Sequence, residues 1–281
     1  METTVLFEMG NDGLNMECDG DYLYIRCKRD VYKFGMADMG QTAHCAVFKK
    51  DGKSRALSVR GEYVFLHDFC DLYILDKADL RTLDILRLGE DLSSDLCGRA
   101  RLDSQKAYYP VRNGVFAVVD MDTKEATKHK ITDSSFWDFC IAGDRIYAGT
   151  VKGELIELDK YKMEIIRRIE VCKKKNIYSL LAYNDLLYLV SQDRTIKAVD
   201  PVSFETVSTA KKAVGNMARL LGVYDGRLVA ADNGKISIWD TPSLRPCETF
   251  AFPTGAWSSG VALAGNRLFG SDFANVYSRV L

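Results

Sequence analysis

Gly143-Asp144-Arg145-Ile146-Tyr147, followed shortly by Leu155-Ile156-Glu157-Leu158-Asp159, decides the fold. The first stretch is a tight-turn pair opening into an apolar run. The second alternates and ends on an acidic turn residue. Short runs rich in β-branched and aromatic residues, bounded by Gly, Asn or Asp, are strand chemistry. The surrounding segment parses into four strands: Trp137 to Ala142, Arg145 to Gly149, Glu154 to Leu158 and Ile165 to Ile169.

Both patterns recur along the chain. The turn pattern returns at Gly20-Asp21-Tyr22, Gly61-Glu62-Tyr63, Ser104-Gln105-Lys106, Asn184-Asp185-Leu186, Asp225-Gly226-Arg227 and Gly265-Asn266-Arg267. Successive copies begin 41, 43, 39, 41, 41 and 40 residues apart. The acid-ended run returns at Leu72 to Asp76, Phe116 to Asp120, Ile196 to Asp200 and Ile236 to Asp240, with Gly35 in the acid's place in the first unit. Asp suits that position because its side chain accepts hydrogen bonds from the turn that follows.

Four strands in about forty residues is the arithmetic of one propeller blade. The expected fold is all-β: a seven-bladed β-propeller of four-stranded antiparallel blades, forming one domain over 1–281. The inner strands support this, since Phe139-Cys140-Ile141, Leu180-Leu181-Ala182 and Val261-Ala262-Leu263 are apolar on both faces. No stretch carries a period of 3.6, so helix is minor. The seventh unit, ending Val276-Tyr277-Ser278-Arg279-Val280, lacks an outer strand, and residues 3–9 are a spare one. Pairing the two closes the last blade and removes an exposed edge. A tandem of β-sandwiches is the alternative architecture, and it leaves the constant interval without a cause.

Composition narrows the function. Apolar residues are 47%, charged residues 27% and the net charge −1. Nucleic-acid binders usually carry a basic excess, which is missing globally. No run approaches the roughly 20 apolar residues of a membrane span, and the first residues lack the basic start and apolar run of a leader. Eight cysteines without a Cys-x-x-Cys pair read as reduced core residues of a cytoplasmic protein.

Ile236-Ser237-Ile238-Trp239-Asp240 resembles the signature ending the third strand of a WD repeat. The resemblance is to the WD-repeat and quinoprotein-like propellers, and it covers the whole chain. Other units keep the Asp but place Leu or Val where Trp would stand. The Gly-His pair that opens a WD repeat is missing: none of His44, His67 and His129 follows a glycine. The His–Asp network of that family is therefore not expected. What the resemblance implies is a rigid ring presenting loops to partners, a fold hosting many unrelated functions.

Catalytic signals are weak. His44 and Cys45 are adjacent in an apparent outer strand and point to opposite faces. His67, Asp68, Cys70 and Asp71 crowd what reads as a loop between the second and third strands of the second blade. That loop reads as a polar hairpin with an exposed His, so no metal site is expected. No His falls on an inner strand, and Gly-x-Ser-x-Gly, Gly-x-Gly-x-x-Gly and Walker patterns are missing. No catalytic residue, no cofactor and no enzyme are expected.

The residue six before each turn should open an inner strand: Leu14, Arg55, Gly98, Trp137, Tyr178, Arg219 and Ser259. The next positions add Asn15, Arg99, Asp138 and Ser179, and Trp257 lies just upstream of the last. The candidate rim is Arg55, Arg99, Trp137, Asp138, Tyr178, Arg219 and Trp257. Arg, Trp and Tyr dominate binding hot spots. The bland alternative has the aromatics plugging the channel and the arginines paired with Asp138 and other local acids. Basic runs at Lys49-Lys50-Asp51-Gly52-Lys53, Lys173-Lys174-Lys175 and Lys211-Lys212 fall between blades, opposed by an acidic run from Glu90 to Asp95. Such runs are also what solvated loops look like. The leading expectation is a non-catalytic scaffold for an unidentified protein or peptide partner. The runner-up is a small-ligand protein or enzyme using the central funnel. A third reading is nucleic-acid contact through the lysine loops.

Overall fold

The computed structural model describes residues 3–9, 15–48, 57–68, 71–88, 99–255, 260–272 and 274–281. Among them every regular element is a strand. The first is β1 (Thr4–Glu8). Blade 1 is β2 (Asn15–Cys18), β3 (Tyr22–Cys27), β4 (Asp30–Gly35) and β5 (Gln41–Ala46). Blade 2 is β6 (Leu57–Arg60), β7 (Tyr63–Asp68), β8 (Asp71–Asp76) and β9 (Thr82–Arg87). Blade 3 is β10 (Arg101–Asp103), β11 (Lys106–Val111), β12 (Val115–Asp120) and β13 (Ala126–Lys130). Blade 4 is β14 (Phe136–Ala142), β15 (Arg145–Thr150), β16 (Glu154–Asp159) and β17 (Ile165–Glu170). Blade 5 is β18 (Ile177–Tyr183), β19 (Leu186–Ser191), β20 (Ile196–Val199) and β21 (Thr206–Ala210). Blade 6 is β22 (Arg219–Tyr224), β23 (Arg227–Asp232), β24 (Lys235–Asp240) and β25 (Pro246–Ala251). Blade 7 is β26 (Val261–Ala264), β27 (Arg267–Ser271) and β28 (Asn275–Val280).

These strands make seven four-stranded sheets, the last ordered β1-β28-β27-β26. Thr4 pairs with Ser278 and Glu8 with Asn275. The chain is a seven-bladed β-propeller whose last blade is completed by the N-terminal strand, as the repeat predicts. Its contacts divide it into two compact units, 1–108 with 119–126 and 252–281, and 109–118 with 127–251.

Two turns build each blade. The first and second strands meet in a two-residue hairpin, as where Ala142 pairs with Arg145 and Ala264 with Arg267. The first turn residue is left-handed in every copy, whether Gly (20, 61, 143, 265) or Ser104, Asn184 and Asp225. Such turns match the right-handed twist of the flanking strands. The third and fourth strands meet at the recurring Asp. Asp159 accepts from Tyr161 N and Lys162 N at 2.9 Å each, and Met163 N donates to Asp159 O at 2.8 Å. Gly35 keeps only the backbone part, accepting from Met39 N at 2.8 Å.

The fourth residue after the acid, or after Gly35, is left-handed, with φ between 54° and 64° at Met39, Leu80, Lys124, Met163, Phe204 and Leu244. That conformation costs a non-glycine residue about 1–2 kcal/mol. Leu80, Met163, Phe204 and Leu244 are nonetheless buried, and burying such a side chain contributes about 1.5–3 kcal/mol. Burial therefore outweighs strain, which explains apolar residues where Gly or Asn is usual.

The core lies between successive blades. In the first unit Leu23, Ile25 and Phe34 pack with Phe269 and Val276, and Tyr24 and Val31 pack with Leu57, Val64 and Leu80. In the second unit Tyr147 and Leu155 pack with Leu189 and Phe204, and Tyr188 and Val190 pack with Leu228, Trp239 and Leu244. Polar clasps run beside these contacts. Lys33 Nζ donates to the carbonyls of Lys77 and Ala78 at 3.0 and 3.1 Å. Arg167 donates to those of Pro201 and Val202 at 2.7 and 2.6 Å, Ser208 Oγ to that of Pro242, and Arg267 to that of Met36 at 3.4 Å. Each acceptor stands one or two residues past a blade's turn acid, or past Gly35.

The cysteines need correction. Cys140 and Cys172 are buried, but Cys18, Cys27 and Cys45 are half-buried and Cys247 is exposed, all six as free thiols. Cys18 and Cys27 end their strands, while Cys45 and Cys247 sit on outer strands, where one face meets solvent. Cys70 and Cys97 lie outside the described residues.

Candidate binding site at the start of the inner strands

Each blade's inner strand begins at the end that also carries its interblade loop and its second-to-third-strand loop. In blades 4 and 5 that start is distorted by a β-bulge. Register slips between Phe136 and Asp138 on β14, and between Ile177 and Ser179 on β18. Trp137 and Tyr178 are the extra residues. Bulges bend a strand and re-aim a side chain, and here both rings are brought together. Their centroids lie 5.3 Å apart at 63°, an edge-to-face pair. Trp137 is half-buried and Tyr178 is 8% exposed, so Trp137 offers the accessible ring. Gly149 permits the approach of β18, since a Cβ there would stand 2.5 Å from Ile177 Cγ2.

Asp138 fixes the neighbouring backbone. Its Oδ2 accepts from Leu180 N at 2.9 Å and from Ser179 Oγ at 3.2 Å. Ser179 Oγ in turn accepts from Leu220 N at 3.1 Å. One chain of hydrogen bonds thus ties the inner strands of blades 4, 5 and 6. Arg219 opens β22, opposite Ala231. Its strand slips later, between Leu220 and Gly222, so the same offset from the turn does not give Arg219 the bulge position of Trp137 and Tyr178.

Arg99, in the other unit, is engaged by a residue that the rim reading missed. Glu17 on β2 accepts from Arg99 Nη1 and Arg60 Nη1, each at 2.6 Å. Glu17 is 8% exposed. A carboxylate within Asn15-Met16-Glu17-Cys18, an otherwise inward-facing strand, is the signal that could have found it. Arg99 is thus paired with Glu17, not with Asp138. Arg55 and Trp257 lie outside the described residues, as do Lys49–Lys53 and the Glu90–Asp95 run.

Charge separates along the second unit. The loops at the start of the inner strands of blades 4–6 carry exposed Lys152, Lys173–Lys175, Arg194 and Lys211–Lys212 against Asp133 and Asp193. The opposite turns carry Asp144, Glu164, Asp185, Asp200, Glu205 and Asp225 against Lys160, Lys162 and Arg245, while Asp159 and Asp240 at the strand ends pair with Arg145 and Arg227. The lysine runs therefore share an end with Trp137 and Tyr178.

His67 is a second correction. It lies within β7 rather than in a loop, and it is 3% exposed rather than surface-facing. The strand runs two residues further than the sequence suggests. Burial, with help from the Arg26 guanidinium, lowers its pKa to about 3. His44 on β5 contacts Asp30 at 3.1 Å and stacks on Tyr32, and His129 lies on β13. Among the described residues no three of His, Cys, Asp and Glu gather as metal ligands.

No protein-family model matches the chain, and no curated protein matches it significantly. Solved structures do. The Cps50 (Swd1) β-propeller domain of Myceliophteria thermophila matches with a TM-score of 0.76 at 15% identity, over 100% of both chains. The two chains share the β-propeller fold. BamB from Moraxella catarrhalis matches with a TM-score of 0.66 at 12% identity, over 95% of this propeller and 86% of that chain. The computationally designed Ika8 protein matches at 0.72 and 10% identity, over 99% and 98%. At these identities the likeness is one of fold.

Proposed function

We propose that this propeller is a non-catalytic, single-domain cytoplasmic scaffold that holds a protein or peptide partner at the start of its inner strands. The observation that carries the reading is the Trp137–Tyr178 pair, set on bulges at equivalent positions of adjacent blades. The Asp138–Ser179–Leu220 chain makes its footing rigid. A rigid, half-exposed aromatic beside cationic loops is the composition of a binding hot spot. The rim assigned to the partner is Trp137, Tyr178 and Arg219, with Asp138 as their support. Free thiols on several blades suit a reducing compartment. The WD40-type neighbour supports protein partners in general terms.

Affinity purification of the tagged chain from its native cells, with mass spectrometry of what co-elutes, tests this. A stoichiometric partner lost in W137A and R219E, with both variants folded by circular dichroism, is the expected result. Recovery of the protein alone, or a partner indifferent to both variants, overturns it. A small molecule co-purifying instead transfers the assignment to a funnel ligand.

A further inference from the structure

We propose that the partner presents an acidic peptide segment, which crosses the interblade loops of blades 5 and 6 and seats one side chain against Trp137. This inference rests on the rim reading above and adds the partner's chemistry. Its first support is the charge separation within 109–118 and 127–251. Cationic loops crowd the end bearing Trp137, and acidic turns crowd the other, in a chain whose net charge is only −1. The asymmetry is local and directional, which is how a charged surface steers one kind of partner.

The second support is the state of those cations. Lys152, Lys173, Lys174, Lys175, Lys211 and Lys212 are exposed. None of them forms an ion pair among the described residues. At the same end Lys130 pairs with Asp133 at 3.0 Å. Lys173, Lys174 and Lys212 also hold left-handed backbone, at φ 41°, 59° and 51°, where Gly would be unstrained. The loops thus carry lysine at positions where glycine is the easier choice.

A peptide fits this end better than a nucleic acid. The Trp137–Tyr178 pair is edge-to-face and Tyr178 is 8% exposed, so one ring rather than a stacking series is offered. Single-stranded nucleic acid is held by successive stacked bases along a basic groove. An extended peptide advances about 3.3 Å per residue, so a short acidic run reaches across two neighbouring loops. Single exposed ion pairs are weak and salt-screened. Recognition therefore depends on several lysines together with the aromatic seat.

Fluorescence anisotropy with three labelled probes tests the proposal on the full chain: a Glu-Ser decapeptide carrying one Leu, a Gly-Ser decapeptide carrying one Leu, and a ten-nucleotide oligothymidylate. The acidic peptide should bind at least tenfold more tightly than either other probe. Raising NaCl from about 50 to 300 mM should weaken it about tenfold or more. K173E/K174E/K175E should weaken it at least tenfold, while K162E at the opposite end leaves it unchanged. Equal affinity for the neutral peptide, tighter oligothymidylate binding, or indifference to the triple reversal overturns the acidic assignment. Repeating the native-cell purification separates the two readings. Partner loss in W137A but not in the triple variant leaves the rim standing and removes the acidic segment, whereas retention in both removes the rim as well.

Discussion

The carboxylate of Asp138 on β14 reaches the hydroxyl of Ser179 on β18 across 3.2 Å, and the same oxygen takes Leu180 N at 2.9 Å. One side chain therefore serves as acceptor for the inner edge of the next blade. Removing it strands a backbone donor whose desolvation is no longer compensated, a loss of about 1–3 kcal/mol. D138A should lower the urea midpoint accordingly. Amide exchange at Leu180 and Leu220 should quicken in the same variant, because Ser179 Oγ loses its orientation. D138N, which keeps the shape and one acceptor, should fall between. Unaltered exchange at Leu180 would falsify the strut.

Glu17 receives two guanidinium groups, Arg60 and Arg99, with all three side chains a quarter exposed or less. Removing one partner of a buried pair typically costs about 3–5 kcal/mol, because the remaining charge stays desolvated. The partial exposure here reduces that. E17A should cost about 2–3 kcal/mol, more than R60A, since Arg99 is then left beside Arg60 without its acid. A double-mutant cycle on Glu17 and Arg99, read by urea denaturation, should give a coupling of about 1–3 kcal/mol. A coupling near zero would show the contact to be incidental.

Lys33 is 6% exposed, with its ammonium on two carbonyls of the next blade's turn and 3.9 Å from the centre of the Tyr22 ring. Two effects oppose each other. The ammonium is desolvated, which costs, yet it satisfies carbonyls and the ring face. An apolar residue of similar length removes the cost of desolvating the ammonium and keeps the packed stem. The freed carbonyls belong to Lys77, half-exposed, and Ala78, exposed, in a turn within reach of water. K33M should therefore stay within about 1 kcal/mol of the parent, while K33A, which also loses the packed stem, should lose about 2–3 kcal/mol. Equal losses in the two variants would mean that the charge, not the stem, holds blades 1 and 2 together.

Which parts of this were legible follows from what each residue's identity encodes. The hairpins were readable because Gly20, Asn184 and Asp225 are residues that tolerate left-handed backbone, and the acid turns because Asp76, Asp120, Asp159 and Asp200 bond the turn amides. Closure was readable because a surplus strand and a deficit share one chain. The left-handed Leu80 and Phe204 were not, since their strain is repaid by blade-to-blade burial that no local rule anticipates. The bulges at Trp137 and Tyr178 were hidden too, because an extra residue leaves composition and period unchanged. His67 was misplaced by two residues of strand, enough to turn a surface histidine into a core one. Glu17 escaped because its partners, Arg60 and Arg99, are 43 and 82 residues away.

The buried His67 makes stability depend on pH in a stated direction. In the folded chain its pKa is lowered to about 3, first by burial and then by Arg26, whose guanidinium also donates to the His67 carbonyl at 3.3 Å. In the unfolded chain the imidazole titrates near 6.5. Below that value the unfolded state binds a proton that the folded state refuses, so folding weakens as pH falls. The contribution is complete above about pH 7 and is lost progressively down to about pH 3. Between pH 6.5 and 5, before most carboxylates titrate, this one group should remove about 1.5–2 kcal/mol. H67N has nothing to protonate in that window. Its urea midpoint at pH 7 should fall because packing is altered, but its slope against pH from 6.5 to 5 should be flatter than that of the parent. Parallel slopes would place the acid sensitivity in another group.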